Sequence, residues 1–138
     1  MEVNGKVTKA KLESGSAITY IRPAGARELG VDPGGPNARP AADVTNLAPN
    51  PIPTWIGHFD SFQIGGEKIE NAHVLIGQLS SPDTWEYSGD PIPQKIRSAS
   101  VYLGADFFRA HHLIVVPEKR VALFTYNGGE VFLTARPE

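Results

Sequence analysis

The residues best suited to chemistry lie in two short segments, each of which joins an apolar strand to a glycine. In the first, a strand-like run ends at Leu12, and Glu13 is the first residue of a polar turn that contains a glycine, residues 13–16, ESGS. In the second, an apolar run ending at Leu103 leads through Gly104 into a segment of helical composition. A positioned carboxylate can accept or donate a proton. Each segment alone is a weak signal, because Glu-Ser-Gly is most often an ordinary surface turn.

Other titratable residues give less specific patterns. His111 and His112 are adjacent in a segment predicted to be helical, so their rings would point about 100° apart, and we expect a solvated helix end. His58 and Asp60 share one face of a predicted strand, but with no third ligand near them a surface pair is the better interpretation. Asp106 opens the predicted helix as a first-turn acid or cap. No nucleophile elbow, phosphate loop or dinucleotide fingerprint appears, and we expect no metal and no cofactor.

Composition predicts a single turn-rich β domain. The chain has 138 residues, of which 14 are glycine and 12 are proline, and 41% are hydrophobic. That hydrophobic share supports a core, so the glycine and proline excess indicates turns rather than disorder. We therefore expect mostly short β-strands.

Several classes of site and partner are excluded by simple counts. The chain has no cysteine, which excludes disulfides, zinc–thiolate sites, iron–sulfur clusters and a cysteine nucleophile. A net charge of −2 argues against a nucleic-acid surface. No segment approaches the roughly 18 apolar residues of a membrane span, and the N-terminus lacks the apolar core of a signal peptide. Because the chain starts directly in a strand-like segment, we expect a domain excised from a longer chain, with Met1 added.

Local patterns predict about nine short strands and two short helices. A hairpin starts around an Asn4-Gly5 turn, and a short helix after Pro23 ends at Gly30. Prolines make residues 31–54 the least regular stretch. Further elements are predicted as follows: strands over residues 55–64, 68–79, 98–103, 113–116, 121–126 and 131–134, a second loop over 80–93, and a helix over 105–112. The strand over 113–116 looks buried, and 131–134 looks like an edge strand that a partner's terminus would cover.

The order of these motifs resembles that of the retropepsin-like aspartic peptidases, a single-lobe family. No piece is specific alone, but the ordered set is, and it runs from about Val3 to about Phe124. The matching pieces are Asn4-Gly5-Lys6, Glu13-Ser14-Gly15-Ser16, Ala26-Arg27-Glu28-Leu29-Gly30, Ile64-Gly65-Gly66, Asn71-Ala72-His73-Val74 and Tyr102-Leu103-Gly104-Ala105-Asp106-Phe107. The resemblance implies an all-β closed barrel with one short helix after Gly104, forming one lobe over residues 1–138.

The resemblance also implies an aspartic endopeptidase. In that family two carboxylates, one per lobe, share one proton and hold the water that attacks the peptide bond. Catalytic positions here would be Glu13, Ser14, whose hydroxyl would bond across the pair, and Gly15, which lets the backbone approach the acid. Ser16 would bond the outer carboxylate oxygen. The second lobe would come from a symmetric homodimer or from a longer parent chain.

The substrate of such an enzyme would be a peptide or protein, with no nucleic acid and no membrane segment involved. The implied substrate-binding residues are Ser16, Ala17, Leu47, Ile52 and Trp55. The family closes a glycine-rich hairpin over its substrate, but the corresponding stretch here, about residues 43–56, has prolines and no glycine around its centre. We therefore expect a stiffer segment or an open loop in place of a hairpin. For Trp55, a half-buried core position is the alternative.

The departure from the family is Glu13, where the family has aspartate. The extra methylene moves the carboxylate by more than about 1 Å, whereas catalytic groups need placement within about 0.5 Å. A 1 Å displacement can cost roughly 100-fold in rate. The chain is thus either a degenerate member or one whose acid was replaced to give an inactive enzyme, and we expect little peptidase activity. The alternative function is a non-catalytic domain that binds peptide or mediates assembly.

Overall fold

Alternating apolar residues between glycine and proline turns fold this chain into an almost wholly β structure. A computed structural model describes residues 1–45, 47–79, 83–86, 94–97 and 99–132, with 83–86 and 94–97 described by their backbone alone. The strands of this part of the chain are β1 Glu2–Val3, β2 Lys6–Val7, β3 Ala10–Leu12, β4 Tyr20–Ile21, β5 Ala38–Val44, β6 Ile52–Ile64, β7 Glu67–Gly77, β8 Asp83–Glu86, β9 Gln94–Arg97, β10 Val101–Leu103, β11 His111–Val116 and β12 Val121–Tyr126. The helices are α1 Pro23–Glu28 and α2 Ala105–Arg109, with a 3₁₀ turn at Pro117–Lys119.

Eight strands form the main sheet. Its order is β2-β1-β6-β7-β4-β10-β3, and β5 pairs with β6 beside this path. The edge strands β2 and β3 are separated by only two residues of chain, so the sheet curls on itself as a half-barrel. Its concave side holds the core, whose fully buried members include Val3, Ile21, Phe59, Phe62, Val74, Ile76, Val101 and Phe107. The prediction of an all-β fold with a short helix after Gly104 is confirmed.

Two turns predicted from glycine are confirmed by their backbone angles. Asn4 and Gly5 have φ of 49° and 75°, the left-handed conformation of a tight hairpin turn. Helix α1 begins at Pro23 and is followed by Gly30 at φ 90°. Glycine adopts this left-handed conformation readily because it has no Cβ to clash with the backbone.

The prediction that residues 31–54 hold no long regular element is wrong for the second half of that range. Strands β5 and β6 pair antiparallel as a hairpin, with a register shift between Ala41 and Val44. Pro40 is tolerated because β5 is an edge strand, where a missing N–H costs no ladder bond. Pro53 falls in the irregular part of the ladder, beside Thr54, whose hydroxyl donates to the Ala42 carbonyl at 2.7 Å. Strands β5 and β6 therefore form a hairpin where the sequence predicted a stiffer segment or an open loop.

The loop predicted for residues 80–93 is also wrong in part. Strand β8 lies within it and pairs antiparallel with β9 as a separate two-stranded ribbon. The remaining residues of that prediction, 80–82 and 87–93, lie outside the described residues.

The predicted helix over residues 105–112 ends early, and the two histidines belong to a strand. Helix α2 stops at Arg109, and His111 opens β11 with its side chain buried while His112 is exposed on the opposite face. His111 Nδ1 lies 2.6 Å from the Phe107 carbonyl oxygen, and Nε2 lies 2.6 Å from Glu67 Oε2. Its ring stacks on that of Phe107 with the centroids 4.0 Å apart. His111 therefore fastens the end of α2 to the start of β7, and is not a solvated helix end.

Replacing His111 with alanine is expected to cost about 3 kcal/mol of folding free energy, since it opens a cavity and removes the contacts of the ring with Glu67 and with the Phe107 carbonyl. The matched control is His112→Ala, which removes an exposed imidazole and should change stability by less than about 0.5 kcal/mol. Urea denaturation followed by fluorescence measures both. Equal losses in the two variants would contradict the assignment.

The C-terminal segments also differ from the prediction. The strand over residues 113–116 looked buried, yet Ile114 is 62% exposed and Val115 53% exposed. Strands β11 and β12 form their own two-stranded sheet among the described residues, and one of its faces is exposed. At the predicted edge strand, Val131 and Phe132 lie outside any strand and Phe132 is buried in the core, whereas residues 133–134 lie outside the described residues.

Candidate active site

Glu13 follows the last residue of β3 and is held over the end of β10. Its backbone N–H donates to the Leu103 carbonyl at 2.8 Å, and the Ser16 N–H closes the turn onto the Glu13 carbonyl at 3.1 Å. The side chain is half-buried. The acid is thus fixed at a strand end by main-chain bonds on both sides.

The topology brings the two segments singled out in the sequence together. Strand β10 lies between β3, to which it is parallel, and β4, to which it is antiparallel. Because β3 and β4 are joined by the acid turn, the chain passes over the end of β10 from one neighbour to the other. Leu12 pairs with Leu103 in this register, which places Glu13 directly above Gly104.

Backbone bonds then lock the turn onto the start of α2. The Ala105 N–H donates to the Ser16 carbonyl at 2.8 Å, and the Asp106 N–H donates to the Ala17 carbonyl at 3.2 Å. A Cβ at Gly104 would lie 2.6 Å from the backbone carbonyl of Ile18, so only glycine fits. The close approach predicted for Gly104 is therefore present in the structure.

Asp106 is the buried acid of this junction. Its Oδ1 accepts hydrogen bonds from the Thr19 N–H at 2.8 Å, the Thr19 hydroxyl at 2.7 Å and the Phe107 N–H at 2.8 Å. The Thr19 hydroxyl oxygen in turn accepts from the Gly104 N–H at 3.0 Å. Asp106 thus joins β4 to α2 beneath the acid turn. This is the structural role that the sequence indicated, although Asp106 does not cap its own helix.

The Glu13 carboxylate contacts a residue that sequence analysis did not select. The Tyr20 hydroxyl donates to Glu13 Oε2 at 3.2 Å. Tyr20 pairs with Tyr102 across β4 and β10, and the two rings stack with centroids 4.8 Å apart. Both side chains point away from the core that Ile21 and Val101 enter. Side chains alternate between the two faces of a strand. With the pairing of β3, β10 and β4 known, this alternation would have placed Tyr20 and Tyr102 on the same sheet face as Glu13.

Ser16 forms a different bond from the one that the family resemblance implied. Its hydroxyl donates to the Ile18 carbonyl at 2.7 Å, and a serine hydroxyl has a single hydrogen to donate. The implied hydrogen bond from Ser16 to the outer carboxylate oxygen is therefore corrected to a bond that stiffens the turn.

The remaining predicted site residues fall into two groups. Ser14, Gly15 and Ala17 are exposed in or beside the acid turn. Three others lie on the β5–β6 hairpin, namely Leu47, which is 62% exposed, Ile52, which opens β6, and Trp55, which is half-buried against the core. The packing of Trp55 agrees with the core alternative, and the substrate contacts of these residues stay predictions.

Among the described residues, neither a contact nor the backbone angle requires glycine at position 15. Its φ lies outside the left-handed region, and a Cβ there would meet no described atom within 4 Å. We expect Gly15→Ala to change folding free energy by less than about 1 kcal/mol. The matched variant Gly104→Ala, which places a Cβ against backbone, should cost about 3 kcal/mol or more. Thermal unfolding of the two variants side by side checks the contrast, and a large loss from Gly15→Ala would contradict it.

A second titratable cluster lies on the outer face of the β5–β6–β7 strands. His58 and His73 pair across β6 and β7 with ring centroids 5.1 Å apart, and both line a surface cavity of about 380 Å³ with Arg39. Burial, with His58 and Arg39 nearby, holds the pKa of His73 below its usual value. His58 Nδ1 lies 4.0 Å from Asp60, as the surface-pair interpretation predicted. Among the described residues, no group of three or more His, Cys, Asp or Glu side chains is arranged to hold a metal ion.

Comparison with known proteins gives one match. A family model described as aspartyl protease matches residues 1–107, a range that includes the acid turn, β10 and the beginning of α2. Neither the curated proteins nor the solved structures contain a significant match. Within the described ranges, no helix has the length and apolar character needed to cross a membrane.

Proposed function

Since this chain belongs to the aspartyl protease family, we propose that it is one lobe of a retropepsin-like endopeptidase in which Glu13 occupies the position of the reacting acid. The observation that carries the proposal is the acid turn laid over the end of β10 and locked to α2. This arrangement presents one carboxylate at a rigid strand end. Hydrolysis needs a second carboxylate and a water between the two, because like charges about 3 Å apart share one proton and so supply acid and base together.

The second lobe is a second copy of this chain. Each copy offers one acid, and a two-fold axis beside Glu13 would bring two such acids together. The surface that supports association is one face of the β11–β12 ribbon, where Ile114 pairs with Leu123 and Val116 with Val121. Ile114 is 62% exposed and Leu123 is 56% exposed. A contiguous exposed apolar face of this kind is typical of a protein interface.

A charge placed on this face should separate the copies. We expect Ile114→Glu to shift the chain from dimer to monomer in sedimentation velocity while leaving the monomer folded, because the side chain is already exposed in one copy. The control is Val7→Glu on β2, where an 86% exposed valine lies on a different strand. A wild-type chain that stays monomeric up to about 100 μM would have a dissociation constant weaker than that concentration, and this result would refute the homodimer.

The direct test of the function is cleavage of an unstructured protein between about pH 4 and 7. The wild-type chain is expected to cleave slowly or not at all, because the longer Glu13 side chain misplaces the carboxylate. Efficient cleavage by the wild type, abolished in Glu13→Gln, would show that glutamate is a competent acid here and would overturn the impairment.

A second candidate is a non-catalytic domain of the same fold that binds peptide or mediates assembly. The observation that favours it is the engagement of Glu13 by Tyr20, which draws the carboxylate toward its own lobe. Peptide cleavage by the Glu13→Asp variant distinguishes the two candidate functions, because a binding domain would remain inactive with either acid at position 13.

A further inference from the structure

We infer that Tyr20 is a positioning residue for Glu13, holding the carboxylate against its own lobe through Oε2. The inference rests on the proposed function only in taking Glu13 as the reacting acid. The hydrogen bond itself can be tested whether or not the chain cleaves peptides.

The direction of this hydrogen bond follows from the two groups. Tyr20 is 3% exposed, and its hydroxyl lies 3.2 Å from Glu13 Oε2. An ionised carboxylate can only accept, whereas a phenol carries its hydrogen up to about pH 10. Tyr20 therefore donates to the carboxylate.

The phenol is fixed well enough to orient its partner. Tyr20 stacks on Tyr102 with an interplanar angle of 2°, and Leu75, Leu79 and Ala99 pack around the pair. A buried, stacked ring has no freedom to follow the carboxylate, so the carboxylate takes the orientation that the ring allows. Groups that hold a reacting residue need this kind of support from packing.

The contact depends on the length of the glutamate side chain. An aspartate at position 13 would withdraw its carboxylate by about 1.5 Å, the length of one C–C bond, which carries it beyond hydrogen-bond distance of Tyr20. The hydrogen bond to Tyr20 therefore requires the length of a glutamate side chain at position 13. The contact with Tyr20 involves Oε2 and not Oε1.

Two charged side chains of the described residues lie near the pair. On β3, Lys11 pairs with Tyr102 and lies on the same strand face as Glu13. Asp106 binds Thr19, the residue before Tyr20. Lysine and tyrosine side chains do not ordinarily titrate between pH 3 and 6, so Glu13 and Asp106 are the described carboxylates near Tyr20 to separate by experiment.

The test is NMR titration of a chain labelled with tyrosine at ¹³Cζ, whose four tyrosines give four signals. We expect the Tyr20 signal to move between about pH 3 and 6 in the wild type, and that movement to be lost in Glu13→Gln, in which Asp106 is unchanged. Glu13→Asp should reduce it by at least half. Tyr20→Phe identifies the signal, and triple-resonance assignment of the wild type does so if that variant does not fold.

Two results would overturn the inference, namely a Tyr20 signal that does not move in the wild type and one that moves equally in Glu13→Gln. The result is independent of the peptidase assay. A Tyr20 titration without any cleavage by the aspartate variant refutes the peptidase and retains the contact, and cleavage without the titration does the reverse.

Discussion

Replacing Glu13 with aspartate is expected to raise kcat/KM for cleavage of an unstructured protein roughly 100-fold over the wild type, the factor that a 1 Å displacement of a catalytic group can cost. The shorter side chain withdraws the carboxylate from Tyr20 and returns it to the position that the strand end dictates. The backbone bonds from Glu13 to Leu103 and from Ser16 to Glu13 do not depend on the side chain, so the turn should be unchanged. Cleavage is measured between about pH 4 and 7.

The control for this gain is inhibition by a pepstatin-type compound, which separates the variant's activity from a contaminating protease. A second control is Ile114→Glu in the aspartate background, which should abolish the gained activity if the second acid comes from another copy. An inactive aspartate variant whose dimer has been verified by sedimentation would contradict the endopeptidase proposal and favour the binding domain.

Local signals were sufficient wherever one or two residues determine the backbone. The hairpin turn at Asn4-Gly5 and the end of α1 before Gly30 depend on left-handed backbone angles that glycine and asparagine adopt cheaply. Proline was a less reliable guide, because its cost depends on its place in the sheet. Pro40 would break a central strand, but among the described strands β5 pairs with β6 alone. That an edge strand would form there could not be read from residues 31–54.

Burial of the C-terminal strands could not be predicted for a related reason. An apolar run such as residues 113–116 is typical of a buried strand, but the run does not say what covers it. In the part of the chain that the structure describes, β11 and β12 pair only with each other, and Ile114 and Leu123 on one face are exposed. The adjacent histidines also differ in burial. Because they lie on a strand, their side chains point to opposite faces, and His111 is buried whereas His112 is exposed.

The candidate site was predictable as two segments and not as an arrangement. Glu13 and Gly104 were selected from local pattern and family resemblance, but their proximity requires β10 to insert between β3 and β4, a pairing across about 90 residues of chain. Tyr20 was missed because its contact with Glu13 depends on that same register. Contacts set by long-range strand order are those that a single sequence specifies least directly.

Replacing Asp106 with alanine is expected to lower folding free energy by about 4 kcal/mol, a large share of the total for a domain of this size. Three donors from Thr19 and Phe107 lose their acceptor. Asp106 is 1% exposed, so water cannot readily replace it. Urea denaturation measures the loss.

The informative control is Asp106→Asn, because the two carboxylate oxygens have different surroundings. Oδ1 accepts all three hydrogen bonds, whereas Oδ2 is buried with no hydrogen-bond partner among the described residues. An asparagine can keep its carbonyl at Oδ1 and place its amide at Oδ2, so it retains the three acceptor contacts, loses their charge and buries an amide with no described acceptor. We expect it to recover more than half of the stability that alanine loses. Equal destabilisation by asparagine and alanine would contradict the role of Oδ1 as the acceptor that joins β4 to α2.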